Sequence, residues 1–262
     1  MIRSMYTAAT GMEAQQLYMD TISNNLSNVN TNGYKRSKIE FQTLMYQTLR
    51  EPGVRNVEGG MSASGIQVGL GVKPGAVHKV FQQGSVNQTA NPMDFAINGE
   101  GFFQISMPDG SIVYSRDGEF KLSSDGTIVN ASGFPVFPQT AVPQGAQEIE
   151  VTEDGRISVI MPGDEHLTEI GQLELAKFVN PAGLKALGNN VYGVTDASGD
   201  PVLTYPGEEG TGTIMQQYVE ASNVQVVEEM VGMISAQRAF EIVSKSIQVS
   251  EEMLQMVNNL KR

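Results

Sequence analysis

The chain has no cysteine and no tryptophan. Without thiols it can hold no disulfide framework, no zinc–thiolate site and no cysteine nucleophile. Aromatic residues are only 7% of a sequence that is 40% hydrophobic, so a core can form but must be largely aliphatic. No apolar run approaches the roughly 18 residues of a membrane-spanning helix. The opening MIRSMYTAATGM also lacks the continuous apolar stretch of a secretory signal. Basic clusters are equally scarce. Beyond Lys35, Arg36 and Lys38 there is nothing to form a nucleic-acid-binding face.

Catalytic chemistry has little material. The histidines are His78 and His166, with no HExxH and no Ser-His-Asp neighbourhood. GLGVKPG (Gly69 to Gly75) lacks the spacing of a phosphate loop, and Pro74 would interrupt a following helix. The pairs Asp164-Glu165 and Glu208-Glu209 have the composition of a glycosidase acid and base, but both lie in stretches rich in glycine or proline, where solvated carboxylates are ordinary. No catalytic residue, cofactor or metal ligand is expected.

What is present is unevenly placed. The first proline is Pro52 and the last Pro206; before residue 30 the only glycine is Gly11, and after Gly212 the only one is Gly232. Helix breakers thus crowd the middle and spare both ends. The net charge of −12 follows the same division, because residues 61–215 hold seven basic against eighteen acidic groups while the ends are nearly neutral. An acidic middle suits a solvated exterior, and neutral ends suit dense packing against protein.

At the N-terminus Met5, Met12, Met19 and Leu26 recur every seven residues, with Ala8, Gln15, Ile22 and Val29 three further on. The C-terminus repeats the pattern with Val226, Met233, Phe240, Ile247 and Leu254, followed at the same offset by Ala236, Val243, Ser250 and Val257. These are the a and d seams of coiled-coil helices. Ser222 or Asn223 is a suitable N-cap for the second helix, with Glu228 and Glu229 near its positive end. A hairpin of the two helices packed on the central domain is one reading, but such narrow seams favour helices that complete their burial against copies of themselves or partners.

In the middle, Asp-Gly at 109–110, 117–118 and 125–126 and Ser-Gly at 132–133 separate alternating segments around Ile112, Tyr114, Phe120, Leu122 and Ile128. This predicts a meander of short strands, with a further hairpin around Asp154-Gly155. The acidic spacing of a calcium loop is missing.

Three stretches then resemble the flagellar rod and hook family of axial proteins: ATGMEAQQLYMDTISNNLSNVNTNGYK (Ala9 to Lys35), INGEGFFQI (Ile97 to Ile105) with YSRDGEFKL (Tyr114 to Leu122), and YVEASNVQVVEEMVGMISAQRAFEIVSKSI (Tyr218 to Ile247). They occur in the family's order across essentially the whole chain. Length and VGLGVKP (Val68 to Pro74) fit its distal-rod members best, with proximal rod and hook-type members as the alternative. An extracellular β-domain adhesin or glycan-binding module is the alternative of a different class.

The resemblance implies an α+β subunit of a helical polymer, with paired N- and C-terminal coiled-coil helices around a central all-β domain. The expected divisions are a helix in 1–34, an extended linker in 35–84 with a distal-rod segment at 46–65, the β domain in 85–200, a return linker in 201–222 and a helix in 223–262. Segment 46–65 is expected to wedge between subunits and keep the shaft straight. The expected partners are copies of the chain itself, proximal rod proteins, the hook protein and envelope rings acting as a bushing, after export by the flagellar type III apparatus.

The expected subunit interface holds Met5, Met12, Met19, Ile22 and Leu26 on the first helix and Val226, Met233, Phe240, Ile247 and Leu254 on the second. Between them, Asn25, Asn28, Asn30 and Gly33 stand where five asparagines fall in the nine positions 24–32. Their amides are expected to bond to backbone at a crowded joint between subunits.

Overall fold

The computed structural model describes residues 2–51, 64–143, 145–146, 148–162 and 166–260, with the backbone alone for Ile2 and Leu260. Most of the expected distal-rod segment and the pair Asp164-Glu165 lie outside the described residues. The chain divides into two compact units, one of Met1–Leu26, Ser37–His78 and Gln225–Arg262, the other of Ser27–Arg36 and Lys79–Val224.

The first unit holds both long helices, α1 (Ile2–Ser27) and α2 (Val226–Leu260). Neither contains proline, and each glycine within them stands at a helix contact. A Cβ on Gly11 would lie 3.8 Å from Val243 Cγ1, and one on Gly232 would lie 3.3 Å from Ile22 Cδ1 and Tyr18 Oη. Residue 11 thus faces 243 while residue 22 faces 232, so the helices are antiparallel. Between α1 and α2 the chain runs out and back as a β ribbon. β1 (Ser37–Thr43) carries on into β2 (Tyr46–Arg50), and β3 (Ile66–Gly69) returns to β4 (Val72–Lys79); β1 pairs with β4 and β2 with β3. The ribbon meets α1 through the Val72 N–H, which donates to Thr10 Oγ1 (3.5 Å), and through the edge of Tyr18 on Phe41.

The second unit is all β. In chain order it contains β5 (Val86–Gln88), β6 (Phe95–Asn98), β7 (Phe102–Ser106), β8 (Ile112–Ser115), β9 (Lys121–Leu122), β10 (Ile128–Val129) and β11 (Val136–Phe137). There follow β12 (Glu148–Val151), β13 (Arg156–Ile160), β14 (Thr168–Gln172) and β15 (Leu175–Lys177). Last come β16 (Lys185–Gly188), β17 (Val191–Gly193), β18 (Val202–Thr204), β19 (Thr213–Gln216) and β20 (Tyr218–Glu220). The main sheet has the order β16-β17-β8-β7-β15-β18, with β11 also on β7. Because successive strand side chains point to opposite faces, Phe102 and Phe103 of β7 serve different clusters. Phe103 joins Phe95, Ile97, Phe120, Ile157, Leu175 and Ile214 in the larger core. Phe102 meets Phe178 and Tyr192 edge to face on the other side, in a cluster that includes Tyr114.

The turns agree with the sequence reading except at one site. Gly110, Gly126, Gly133 and Gly155 adopt positive φ of 81°, 77°, 84° and 78°. Gly118 does not. It is a point of close approach, where a Cβ would fall 1.6 Å from the Phe95 carbonyl oxygen. The expected return linker 201–222 is corrected as well. It supplies β18 to the main sheet, β19 to β6 and β20 to β5, strands too short to show a period in sequence.

A graded pair of substitutions separates the two uses of glycine. Gly118→Ala should destabilise the β unit by about 2–3 kcal/mol through overpacking, read as a lowered urea midpoint. Gly133→Ala, with nothing within 4 Å of its Cβ and only the positive φ against it, should cost about 1 kcal/mol.

Candidate functional site

Two features of the structure bear on function: the helix pair and a buried clasp of charges in the β unit. On α2 the expected seam is the covered stripe. Met233, Phe240, Val243, Ile247 and Leu254 are half-buried, and Ala236 and Ser250 are buried. On α1, Met5, Met12, Met19 and Leu26 are half-buried and Ile22 is 2% exposed. These heptad positions are therefore covered in part within a single chain. Val226, at the start of α2, and Val257, near its end, are exceptions at 40% and 52% exposed.

Within the asparagine run, Asn25 is already engaged inside the chain. Its Nδ2 donates to the Ser37 carbonyl (2.9 Å) and its Oδ1 accepts from the Ser37 N–H (2.8 Å), joining the last turn of α1 to the first residue of β1. Asn28 Oδ1 accepts from Thr31 Oγ1. Asn30 is exposed. α1 ends at Ser27, so Val29 lies beyond the seam to which its spacing assigns it.

Gly33 begins the clasp. Its φ is +69°, its N–H donates to the Glu220 carbonyl (2.8 Å), and a Cβ would strike the Asp117 backbone nitrogen at 2.5 Å. Only glycine lets the chain pass there. Two residues later Lys35 is fully buried, its ammonium on Glu220 Oε1 and donating to the Gln82 carbonyl at 2.8 Å. The same Glu220 oxygen accepts from the Gly84 N–H (2.8 Å), and Glu220 Oε2 lies 3.6 Å from Arg116 Nη1. Arg116 donates through Nη2 to the Gly99 carbonyl (2.6 Å) and rests on the Phe102 ring. Asn223, one of the two expected N-cap residues, is engaged here instead. It accepts from the Arg36 N–H (2.7 Å) and donates to the carbonyls of Val80 and Gln82.

The clasp is thus two cations sharing one carboxylate, out of contact with water. Burial pushes the Lys35 ammonium below its ordinary range, with Glu220 opposing the shift and Arg116 adding to it. Burial lowers Arg116 too, against the pull of Glu220. Beside them Lys79 donates to the Lys35 carbonyl (3.0 Å) and lies over the Tyr34 ring at 4.1 Å; burial pulls its pKa to about 8. Asp117 is raised by burial although it accepts from Asn190. Such an arrangement holds chain in place. No local pattern reveals it, since Lys35, Arg116 and Glu220 are far apart in sequence.

Comparison with known sequences follows these same segments. Residues 5–35 match the profile "Flagella basal body rod protein", residues 96–159 "Flagellar hook protein FlgE/F/G D1 domain", and residues 215–260 "Flagellar basal body rod FlgEFG protein C-terminal". The chain is 48% identical to the flagellar basal-body rod protein FlgG of Buchnera aphidicola (subsp. Acyrthosiphon pisum) over 260 residues, covering 99% of this chain and 100% of that one. It is 45% identical to FlgG of Borreliella burgdorferi and 34% identical to that of Bacillus subtilis, each covered completely, as is this chain. The chain belongs to the FlgG family of flagellar basal-body rod proteins. In this FlgG-family chain each clasp charge comes from a different matched segment: Lys35 from the first, Arg116 from the second and Glu220 from the third.

Removing the carboxylate should harm the fold far more than removing one cation. Glu220→Gln leaves two buried cations unneutralised and should cost about 3–5 kcal/mol, measured by urea unfolding. Lys35→Met keeps the Arg116–Glu220 pair and should cost less than half of that. Equal losses would show that the charges are not coupled.

Lys79 gives a pH signature. The unfolded chain holds this proton to about pH 10.5 and the folded chain releases it near 8. Between those values the unfolded state binds more protons, so this group makes stability rise with pH. The urea midpoint of the wild type should therefore improve relative to Lys79→Met between pH 7.5 and 10, with no such trend below pH 7.

Proposed function

We propose that this chain is a structural subunit of the flagellar distal rod. Copies assemble helically into a hollow, stiff shaft that carries torque from motor to hook and conducts exported subunits. The observation that carries this reading is the likeness to FlgG rod proteins along the whole chain. The surface of α2 supports it, since Val227, Val231, Ile234 and Ile242 remain 51–76% exposed on a helix whose seam already faces α1. An apolar helix face of that size calls for a protein partner. Proximal rod proteins and the hook protein are the neighbours at the two ends, and envelope ring proteins form a bushing around the shaft. Chains are exported by the flagellar type III route and reside in the basal body. Residues 46–65 act as the stiffening segment.

Negative-stain imaging of the concentrated full chain tests this beside a fragment of residues 27–224. The fragment keeps Lys35 and Glu220 and so retains the clasp. Tubes from the full chain and monomers from the fragment are expected. A full chain that stays monomeric at every concentration, or a small closed oligomer, contradicts the reading. Deleting Tyr46 to Ser64 should leave tubes that curve.

A further inference from the structure

α2 carries a second stripe, distinct from its heptad seam. Val231, Ile234, Ile242, Val249, Met253 and Met256 are 39–70% exposed. With Arg238 and Lys245, also exposed, they advance in steps of three and four that repeat every eleven residues: 231, 234, 238, 242, 245, 249, 253, 256. Eleven residues make close to three helical turns, so the stripe runs almost straight along the helix. Its two cations are seven residues apart. Among the described residues neither has an ion-pair partner, Glu241 between them included.

The outward face of α1 is of opposite character. Tyr6, Ala9, Glu13, Gln16 and Asp20 are exposed and advance in alternating steps of three and four, repeating every seven residues. Its acids, Glu13 and Asp20, are also seven residues apart. In a tube whose copies are related by rotation about an axis along the helices, every α1 runs one way and every α2 the other, as they do within one chain. An antiparallel contact with equal spacing brings both charge pairs together at once.

We infer that the outward face of α1 in one copy docks on the straight stripe of α2 in the next, with Glu13 against Lys245 and Asp20 against Arg238. The inference rests on the polymer reading above and specifies its terminal contact. At the far end Val249 and Met253 meet Ala9 and Tyr6. The contact also fixes a stagger. Inside one chain Gly11 faces Val243, a register in which Glu13 would face Glu241. Meeting Lys245 instead displaces the helix by four residues, about 6 Å. The surfaces differ, so the contact is head-to-tail, and the axial displacement keeps it from closing into a ring, as a growing polymer requires.

The test uses two full-length variants, Glu13→Lys/Asp20→Lys and Arg238→Glu/Lys245→Glu. Each alone opposes like charges and should raise the concentration needed for sedimentable polymer by about tenfold or more. All four positions are exposed, so monomer circular dichroism should be unchanged. An equimolar mixture should recover assembly, because each variant's altered face then meets its complement, and the four-fold variant should recover as well. Loss in Arg238→Glu/Lys245→Glu alone would mean that a different surface occupies the stripe, loss in Glu13→Lys/Asp20→Lys alone that the α1 face docks elsewhere, and wild-type assembly by both variants that neither surface is used. Failure of the mixture and of the four-fold variant would likewise overturn the pairing while leaving the rod reading intact. A wild-type chain that never polymerises would remove both.

Discussion

Two cations held around one carboxylate, sealed from water, fix where the chain enters and leaves the β unit. Lys35 arrives from the N-terminal segment, Glu220 departs toward the C-terminal one, and Arg116 directly follows β8 of the main sheet. A buried ion group of this kind is poor value in stability, because desolvation offsets most of the attraction and an apolar replacement of the same shape is often as stable. Its usefulness lies in being intolerant of alternatives. If either strand slid by one residue, a charge would be left without its counterpart, and the penalty would exceed anything a shifted apolar contact could return. Gly33 and Asn223 strengthen this, since both bond to backbone that is itself held by the clasp.

How much of this the sequence reveals depends on the range of the interaction. The helices are legible because Met233, Phe240, Ile247 and Leu254 repeat with a helical period and no glycine or proline intrudes except Gly11 and Gly232. The turns at Gly110, Gly126, Gly133 and Gly155 are legible because Asp-Gly and Ser-Gly state their own backbone conformation. Asp117-Gly118 looks identical in sequence but has another cause, a carbonyl from a strand more than twenty residues upstream. Asn223 shows the same limit. Before a helix it reads as a cap, yet its amide serves Arg36, Val80 and Gln82. Short strands such as Val202–Thr204 and Tyr218–Glu220 offer no period to read, and only their partners make them strands.

The two helices share the first unit unequally. α1 hides most of its apolar positions, Ala14 and Ile22 almost completely, and turns Glu13, Gln16 and Asp20 outward. α2 has apolar side chains on the face toward α1 and on a second face as well. Seam residues that are only half-buried, together with methionines that adapt to varied neighbours, describe a pairing left incomplete by one chain. Helices of this kind draw their stability from packing rather than propensity. Further chains would add to that packing, while the β unit is closed by its own core.

The periods of the two α2 stripes have a mechanical consequence. A seven-residue repeat falls short of two full helical turns and drifts one way around the helix by about 20° per repeat; an eleven-residue repeat overshoots three turns and drifts the other way by a similar angle. Alone, the first would wind α2 into a left-handed supercoil and the second into a right-handed one. A helix that packs its heptad stripe on α1 of its own chain and its eleven-residue stripe on a neighbour is pulled in both senses, and the opposing tendencies favour a straight helix. Repeated around a tube, that balance would resist twist from either direction. In the proposed shaft, stiffness under torque would then follow from how side chains are spaced along a single helix.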